Sequence, residues 1–227
     1  MNSDLVVNES TKGPDSRSRT LRTYHRILWS KELPNGEFLN LDDSCGSNKY
    51  LVWKSHDFGS DSITATFRYP KMENIVRSYF SRFLHPREAI ERDVRKLYTI
   101  GSSIIFPKHT QSMNQRRGTN PLIGDRWDRT LECIRGHYVG EKSPLSEICE
   151  IDSWFYDLFV DFKGYVDFFF LQDCVSKDYS KAYSWLNDEM DDSTFPTDVD
   201  SYSLWLNNNL EFTRKRNQRI ADHLKHL

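Results

Sequence analysis

The spacing of apolar residues predicts a short β-rich region followed by a mostly helical chain. Every second residue of 62–69 is apolar, a period typical of a half-buried strand. Shorter strand candidates lie at 38–41 and 50–53, with polar loops predicted at 42–48 and 56–61. Together these segments predict a small antiparallel β-sheet in the N-terminal third.

Apolar residues then recur every three to four positions, as the buried face of a helix requires. This pattern predicts helices over 72–84, 86–97, 122–138 and 199–227. An apolar run at 104–106 predicts one more buried strand. Residues 1–21 are polar and predict a disordered tail, so 22–227 would form one mostly helical α+β domain.

Composition is that of a globular protein whose charge is unevenly distributed. Of the 227 residues, 37% are hydrophobic and 14% aromatic, enough to bury a sizeable core. The net charge of −2 argues neither for a general nucleic-acid coat nor for an acidic tail protein. Segment 12–31 is basic, 141–211 is acidic, and the chain is basic again from Arg214. The asymmetry would steer an anionic partner to one face, or the two kinds of segment would pack together.

The cysteines and the absence of long apolar runs predict a cytoplasmic protein. Four cysteines occur without a CxxC pair, which favours free thiols in a reducing compartment. Cys133 and His137 have a metal-ligand spacing, but two ligands rarely suffice for zinc, so semi-buried helix residues are predicted. No export signal or membrane span is predicted, because charges interrupt the most apolar stretch at 154–175.

The strongest functional signal lies in segment 113–135, where a basic loop predicted at 108–120 precedes a helix. The candidate ligand-binding residues are Asn114, Gln115, Arg117, Arg126, Glu132 and Arg135, with Arg26 and Lys31 as further cations. Arginine binds phosphate or carboxylate through two donors, and a helix N-terminus also favours an anion. The alternative is that these arginines pair with Asp125, Asp128 and Glu132 to hold the loop on the helix.

The leading hypothesis is binding of an anionic ligand, either nucleic acid or a nucleotide phosphate. A second is metal-dependent phosphodiester cleavage, with Glu132, Asp157, Asp161 and Asp167 around a divalent ion. A third is a protein-binding module whose acidic face docks a basic partner. No GxGxxG or Walker loop, catalytic triad or cofactor motif is present, so the cofactor is unknown and no catalytic residue is assigned.

Long segments of the chain resemble an uncharacterised bacterial family of unknown function. The similar segments are YHRILWSK at 24–31, LPNG at 33–36, TIG at 99–101, IIFP at 104–107, NQ and RG around Arg116, DRWD at 125–128, TLECIR at 130–135, FKGYVDFF at 162–169, LQD at 171–173, RN at 216–217 and RI at 219–220. The resemblance implies departures at Arg116, Trp127 and Arg129, where the family usually has a small residue, Phe and an apolar residue. It implies that these segments share one fold, and it transfers no activity.

Overall fold

A computed structural model describes residues 18–43, 51–63, 72–182 and 195–225. The first helix, α1, spans Arg19–Trp29, and the Ser18 side chain caps it by accepting the Leu21 N–H. The last residues of the predicted tail therefore belong to a helix, with Leu21 buried. Residues 1–17 lie outside the described residues.

Four antiparallel strands form one sheet in the order β1-β2-β3-β4. They are β1 Asp42–Asp43, β2 Leu51–Trp53, β3 His56–Ser62 and β4 Ser103–Pro107. The prediction of a small antiparallel sheet is confirmed, as is the buried strand around 104–106.

Several details of the predicted sheet are wrong. Residues 38–41 form no strand of the sheet, since Phe38 makes only an isolated bridge with Glu32, and β1 lies inside the loop predicted at 42–48. The loop predicted at 56–61 is strand β3, whose buried positions include Gly59 and Ser60 instead of large apolar residues, so no alternating signal exists. The fourth strand comes from the middle of the chain and not from its N-terminal third. The strand predicted at 62–69 lies mostly outside the described residues, since only 62 and 63 are described.

Nine α-helices occur in the described part of the chain. After α1 they are α2 Glu73–Phe80, α3 Pro86–Leu97, α4 Met113–Thr119, α5 Trp127–Val139, α6 Ser146–Ile151, α7 Ser153–Asp157, α8 Phe162–Phe168 and α9 Val199–Leu224. The predicted basic loop thus contains helix α4. The helix predicted from 122 begins at Trp127, because Gly124 and Asp125 both adopt left-handed backbone conformations that end the preceding turn.

An aromatic core joins the helices to the sheet. Ile123, Trp127, Leu131 and Ile134 are fully buried, which confirms the predicted inner face of this region. An added Cβ on Gly164 would come within 2.1 Å of the Phe159 carbonyl oxygen, so this close approach requires glycine. The result is a single α+β domain, as predicted. Within the described ranges, no helix is both long and apolar enough to cross a membrane.

Candidate functional site

Arg117 of α4 is completely buried and joins three parts of the fold. Its Nη1 donates to the Asp61 carboxylate at 2.5 Å and to the Ser62 carbonyl at 2.9 Å. Its Nε donates to the Thr130 hydroxyl of α5, and its Nη2 to the Asp125 carbonyl. An Asp125 carboxylate oxygen lies 3.3 Å from the same Nη1. Arg117 is therefore a cation between two carboxylates, tying α4 to β3 and to the start of α5.

The carboxyl group of Asp125 titrates far from its usual range. Burial raises the pKa of Asp125 to about 6; the Arg117 guanidinium opposes the rise, and the negative charge of Asp61 adds to it. About a third of the Asp125 side chain is nevertheless exposed, at 33%. The neighbourhood of Arg117 therefore has no excess of positive charge.

The other predicted arginines are also paired. Arg126 and Asp128 form a buried ion pair through two nitrogens and both carboxylate oxygens. Arg135, whose side chain is 14% exposed, bonds the carboxylates of Glu132 and Glu141. Such pairs are the alternative that the sequence left open, in which carboxylates hold the arginines in place.

Four of the six predicted site residues fall into two pairs, while Gln115 and Arg126 belong to neither. Asn114 donates to the Ser60 carbonyl of β3, beside the partners of Arg117. Gln115 is exposed on α4. The second carboxylate oxygen of Glu132 accepts the Ala182 N–H at 2.8 Å, so Glu132 and Arg135 tie α5 to a later segment. The structure thus brings Asn114 and Arg117 together, and it brings Glu132 and Arg135 together. None of the hydrogen bonds described here joins the first pair to the second.

The proposed acidic metal site is not assembled in the described residues. There, no group of three or more His, Cys, Asp or Glu side chains is arranged to hold a metal ion. Asp161 instead caps α8 by accepting the Gly164 N–H, and Asp167 accepts bonds from Lys163, Gln172 and Tyr179. Cys133 is buried and His137 half-buried on α5, as predicted for helix residues.

His25 lies in a buried polar chain that links α1 to the sheet. Trp29 Nε1 donates to His25 Nδ1 at 2.8 Å, and His25 Nε2 lies 2.9 Å from the Ser60 hydroxyl. Burial, assisted by the Arg216 charge, lowers the pKa of His25 to about 3. The ring is therefore neutral, and because Nδ1 accepts, Nε2 carries the hydrogen and donates to Ser60. This arrangement orients the ring and leaves it no free lone pair to activate Ser60.

Sequence reasoning missed Arg216 of α9 as a buried group. It is completely buried, and its Nε donates to the Phe169 carbonyl at 3.0 Å. Its Nη1 donates to the Gly101 and Ser103 carbonyls at 3.0 and 2.7 Å. Its Nη2 is buried with no hydrogen-bond partner among the described residues. Burial lowers the pKa of Arg216 to about 9. The basic run 214–216 was a visible signal, but nothing in the sequence separates its buried member from its exposed ones.

A second cation, Lys31, approaches the same indole ring. Lys31 Nζ lies 5.4 Å from the Trp29 ring centroid, and Arg216 Cζ lies 5.8 Å from it. Lys31 Nζ also lies 4.4 Å from the ring centroids of Phe168 and Phe170, and it donates to the Phe168 carbonyl at 3.0 Å. Burial lowers the pKa of Lys31 to about 8. We call Trp29, Lys31, Phe168, Phe170 and Arg216 the Trp29 cation site.

Two other lysines that contact aromatic rings show what is special about this site. Lys54 lies over Trp53 and pairs with Glu37, and Lys163 lies near Tyr179 and pairs with Asp167. Within the described ranges, neither Lys31 nor Arg216 has a carboxylate within ion-pair distance. The Trp29 cation site therefore carries positive charge that the described acidic residues leave uncompensated.

Comparison with known proteins identifies the family. The matching family model is described as "Family of unknown function (DUF6994)", and it covers residues 2–220. Because this is nearly the whole chain, the protein belongs to that family, which confirms the expectation of an uncharacterised family. No curated protein and no solved structure matches the chain.

Proposed function

We propose that this protein binds a small anionic ligand, such as a nucleotide phosphate, at the Trp29 cation site. One observation carries the proposal: two cations meet at one ring without a carboxylate among the described residues, and one of them has a buried donor without a partner. A buried charge is ordinarily paired, and a buried donor is ordinarily bonded. An anionic group would supply both the missing charge and the missing acceptor.

Lys31 provides donors for such a ligand. An ammonium group has three N–H donors, and one bond, to the Phe168 carbonyl, is formed here. Lys31 is half-buried, whereas Arg216 is completely buried. In this proposal Lys31 Nζ and Arg216 Nη2 both donate to the anionic group of the ligand.

A small ligand is favoured over nucleic acid because the exposed basic residues on and just after α9 are paired with carboxylates, unlike the buried Arg216. Their partners are Glu211 for Arg214 and Lys215, Asp173 for Arg219, and Asp222 for Lys225. Nucleic-acid binding draws on several phosphate contacts along a basic surface. The basic run near the C-terminus is better explained as ion-paired helix surface.

Binding through Asn114, Gln115, Arg117, Arg126, Glu132 and Arg135 stays a prediction from the sequence. Arg117 and Arg126 are buried and already paired with carboxylates, which supports a role in holding the fold. Metal-dependent phosphodiester cleavage and protein docking by the acidic segment are the less supported alternatives. We further infer a cytoplasmic location, which is supported by the three buried free thiols at Cys133, Cys149 and Cys174.

The test is calorimetric titration of ATP and of pyrophosphate into the wild type and three Lys→Met variants. Lys31→Met keeps side-chain length but removes the charge, and we expect affinity to fall about tenfold or more, or about 1.4 kcal/mol. Lys54→Met and Lys163→Met are matched controls, because both lysines contact a ring but have carboxylate partners. Thermal melting would show that each variant is folded.

Two outcomes would overturn the proposal. One is ATP and pyrophosphate binding by Lys31→Met with wild-type affinity. The other is an equal loss in all three variants, since that would indicate non-specific attraction. A labelled single-stranded oligonucleotide that binds more tightly than ATP, with a steep dependence on salt, would replace the small ligand with nucleic acid.

A further inference from the structure

We infer that Lys31 is a nucleophilic amine that forms an imine with an anionic aldehyde or ketone. The inference rests on the proposed function, because the anionic group of the ligand is what the Trp29 cation site would hold. It adds a covalent step that anion binding alone does not require.

The geometry separates Lys31 from an ordinary surface lysine. Three aromatic rings surround its Nζ, and one backbone carbonyl fixes the direction of the side chain. These groups exclude water without supplying a negative charge, since a ring and a carbonyl are neutral. A lysine dehydrated in this way is the usual source of a reactive amine at neutral pH.

The backbone of the site is also unusual. Phe170, which contributes one of the rings, has a left-handed φ of 57°. A bulky residue rarely adopts this conformation, and such strain concentrates at functional positions. The conformation turns the chain immediately after α8, so that Phe168 and Phe170 both meet Lys31 Nζ at the same distance of 4.4 Å. His223 of α9 lies against the Phe170 ring, with the two ring centroids 5.1 Å apart.

The lowered pKa of Lys31 agrees with the geometric evidence for a nucleophilic amine. With a pKa of about 8, roughly one amine in ten is neutral at pH 7, compared with far fewer for an unperturbed lysine. Lys163 differs in the opposite direction, because its bond to Asp167 raises its pKa. Two lysines near aromatic rings therefore differ in the availability of the neutral amine.

The chemical step is balanced without any oxidant or reductant. The Nζ lone pair attacks the carbonyl carbon, and the carbonyl π electrons move to oxygen, which takes up a proton. The carbinolamine then loses water, with both hydrogens of the neutral amine leaving on the former carbonyl oxygen. The products are an imine at Lys31 and one water molecule.

The test uses pyridoxal 5′-phosphate as a carbonyl probe that carries a phosphate, followed by borohydride reduction and peptide mass spectrometry. We expect the reduced adduct at Lys31 to exceed those at Lys54 and Lys163 by about tenfold or more at pH 8, where Lys31 has far more neutral amine than an unperturbed lysine. Pyrophosphate should suppress the adduct at Lys31 and leave the others unchanged. Equal labelling of the three lysines in the wild type would overturn the inference, whether or not any variant folds.

Lys31→Arg separates the covalent step from anion binding. This variant retains a positive charge but has no nucleophilic amine, so it should bind pyrophosphate and form no adduct at position 31. If pyrophosphate binds the wild type at Lys31 but no adduct forms there, the imine fails and the proposed function stands. If a neutral aldehyde labels Lys31 as readily as pyridoxal 5′-phosphate, and pyrophosphate does not compete, the anion requirement fails, and both the proposed function and this inference fail with it.

Discussion

Arg117 and Arg216 are both completely buried, but the fold compensates them in opposite ways. Arg117 lies between two carboxylates, those of Asp61 and Asp125. Arg216 lies among backbone carbonyls and against an indole ring, with no carboxylate at ion-pair distance among the described residues. The charge of Arg117 is balanced by negatively charged carboxylates, whereas the charge of Arg216 is stabilised by carbonyl dipoles and the indole ring.

The comparison explains why the proposed function assigns the anion to only one of the two regions. A ligand phosphate near Arg117 would compete with two carboxylates that are already bound, and would be repelled by them. A ligand anion near Arg216 and Lys31 would meet uncompensated cations. The density of arginines in the sequence does not reveal this difference, since the richer cluster is the one whose arginines are paired with carboxylates.

The largest expected effect is that of Arg117→Met, which leaves two partly buried carboxylates without their cation. We expect the free energy of unfolding to fall by about 3–5 kcal/mol at pH 7, measured by urea denaturation. The loss should be smaller at pH 5, where Asp125 is protonated in the folded state. Adding Asp61→Asn and Asp125→Asn to the variant should restore part of the stability. A loss below about 1 kcal/mol at pH 7 would mean that the carboxylates do not need Arg117.

Leu131→Ala supplies an uncharged reference on α5. Leu131 is fully buried, so truncation should lower the free energy of unfolding by about 2–5 kcal/mol. Because no charge is involved, the loss should be the same at pH 5 and pH 7 in the same urea assay. A pH dependence equal to that of Arg117→Met would show that the dependence comes from the whole fold and not from the carboxylates.

Arg216→Met should lower the free energy of unfolding less than Arg117→Met does, because it leaves neutral carbonyls, and not charged carboxylates, without a partner. Unbonded buried carbonyls cost about 1–3 kcal/mol each, but removing the buried cation offsets part of that loss. We expect a net loss of about 1–3 kcal/mol, with Arg214→Met as the exposed control near zero. A loss equal to that of Arg117→Met would remove the proposed distinction between the two arginines.

The smallest effect concerns the pH dependence contributed by Asp125. Its folded pKa of about 6 lies above its unfolded value near 4. The stability linked to its protonation is therefore complete below about pH 4 and lost as the pH rises through about 6. Asp125→Asn tolerates the left-handed backbone and does not titrate. Relative to this variant, the wild type should gain stability between pH 7 and pH 4.5; a constant difference would contradict the raised pKa.

The sequence predicted those elements whose buried face is built from large apolar residues. Strand β4 and the inner face of α5 are of this kind, and both were found from spacing alone. Strand β3 was missed because Gly59, Ser60 and Ser62 occupy its buried positions. Burial of these small side chains is decided by the elements packed around β3, which local periodicity does not contain.

The same limit applies to the candidate site. Ion pairs between residues close in sequence, such as Arg126 with Asp128, could be anticipated from spacing. The Trp29 cation site could not, since it joins α1, the end of α8 and the middle of α9. The absence of a nearby carboxylate is also invisible in a sequence with 33 acidic residues, because only the fold decides which of them come close.

The bonds of Arg216 also have a consequence for the order of folding. Its guanidinium reaches the carbonyls of Gly101 and Ser103 across 115 and 113 positions of the chain. A ribosome makes those carbonyls long before the arginine, and the loop between them must close before their bonds can form. Contacts that close such long loops form slowly. The bonds of Arg216 to Gly101 and Ser103 therefore require α9 to be synthesised and docked before they can form.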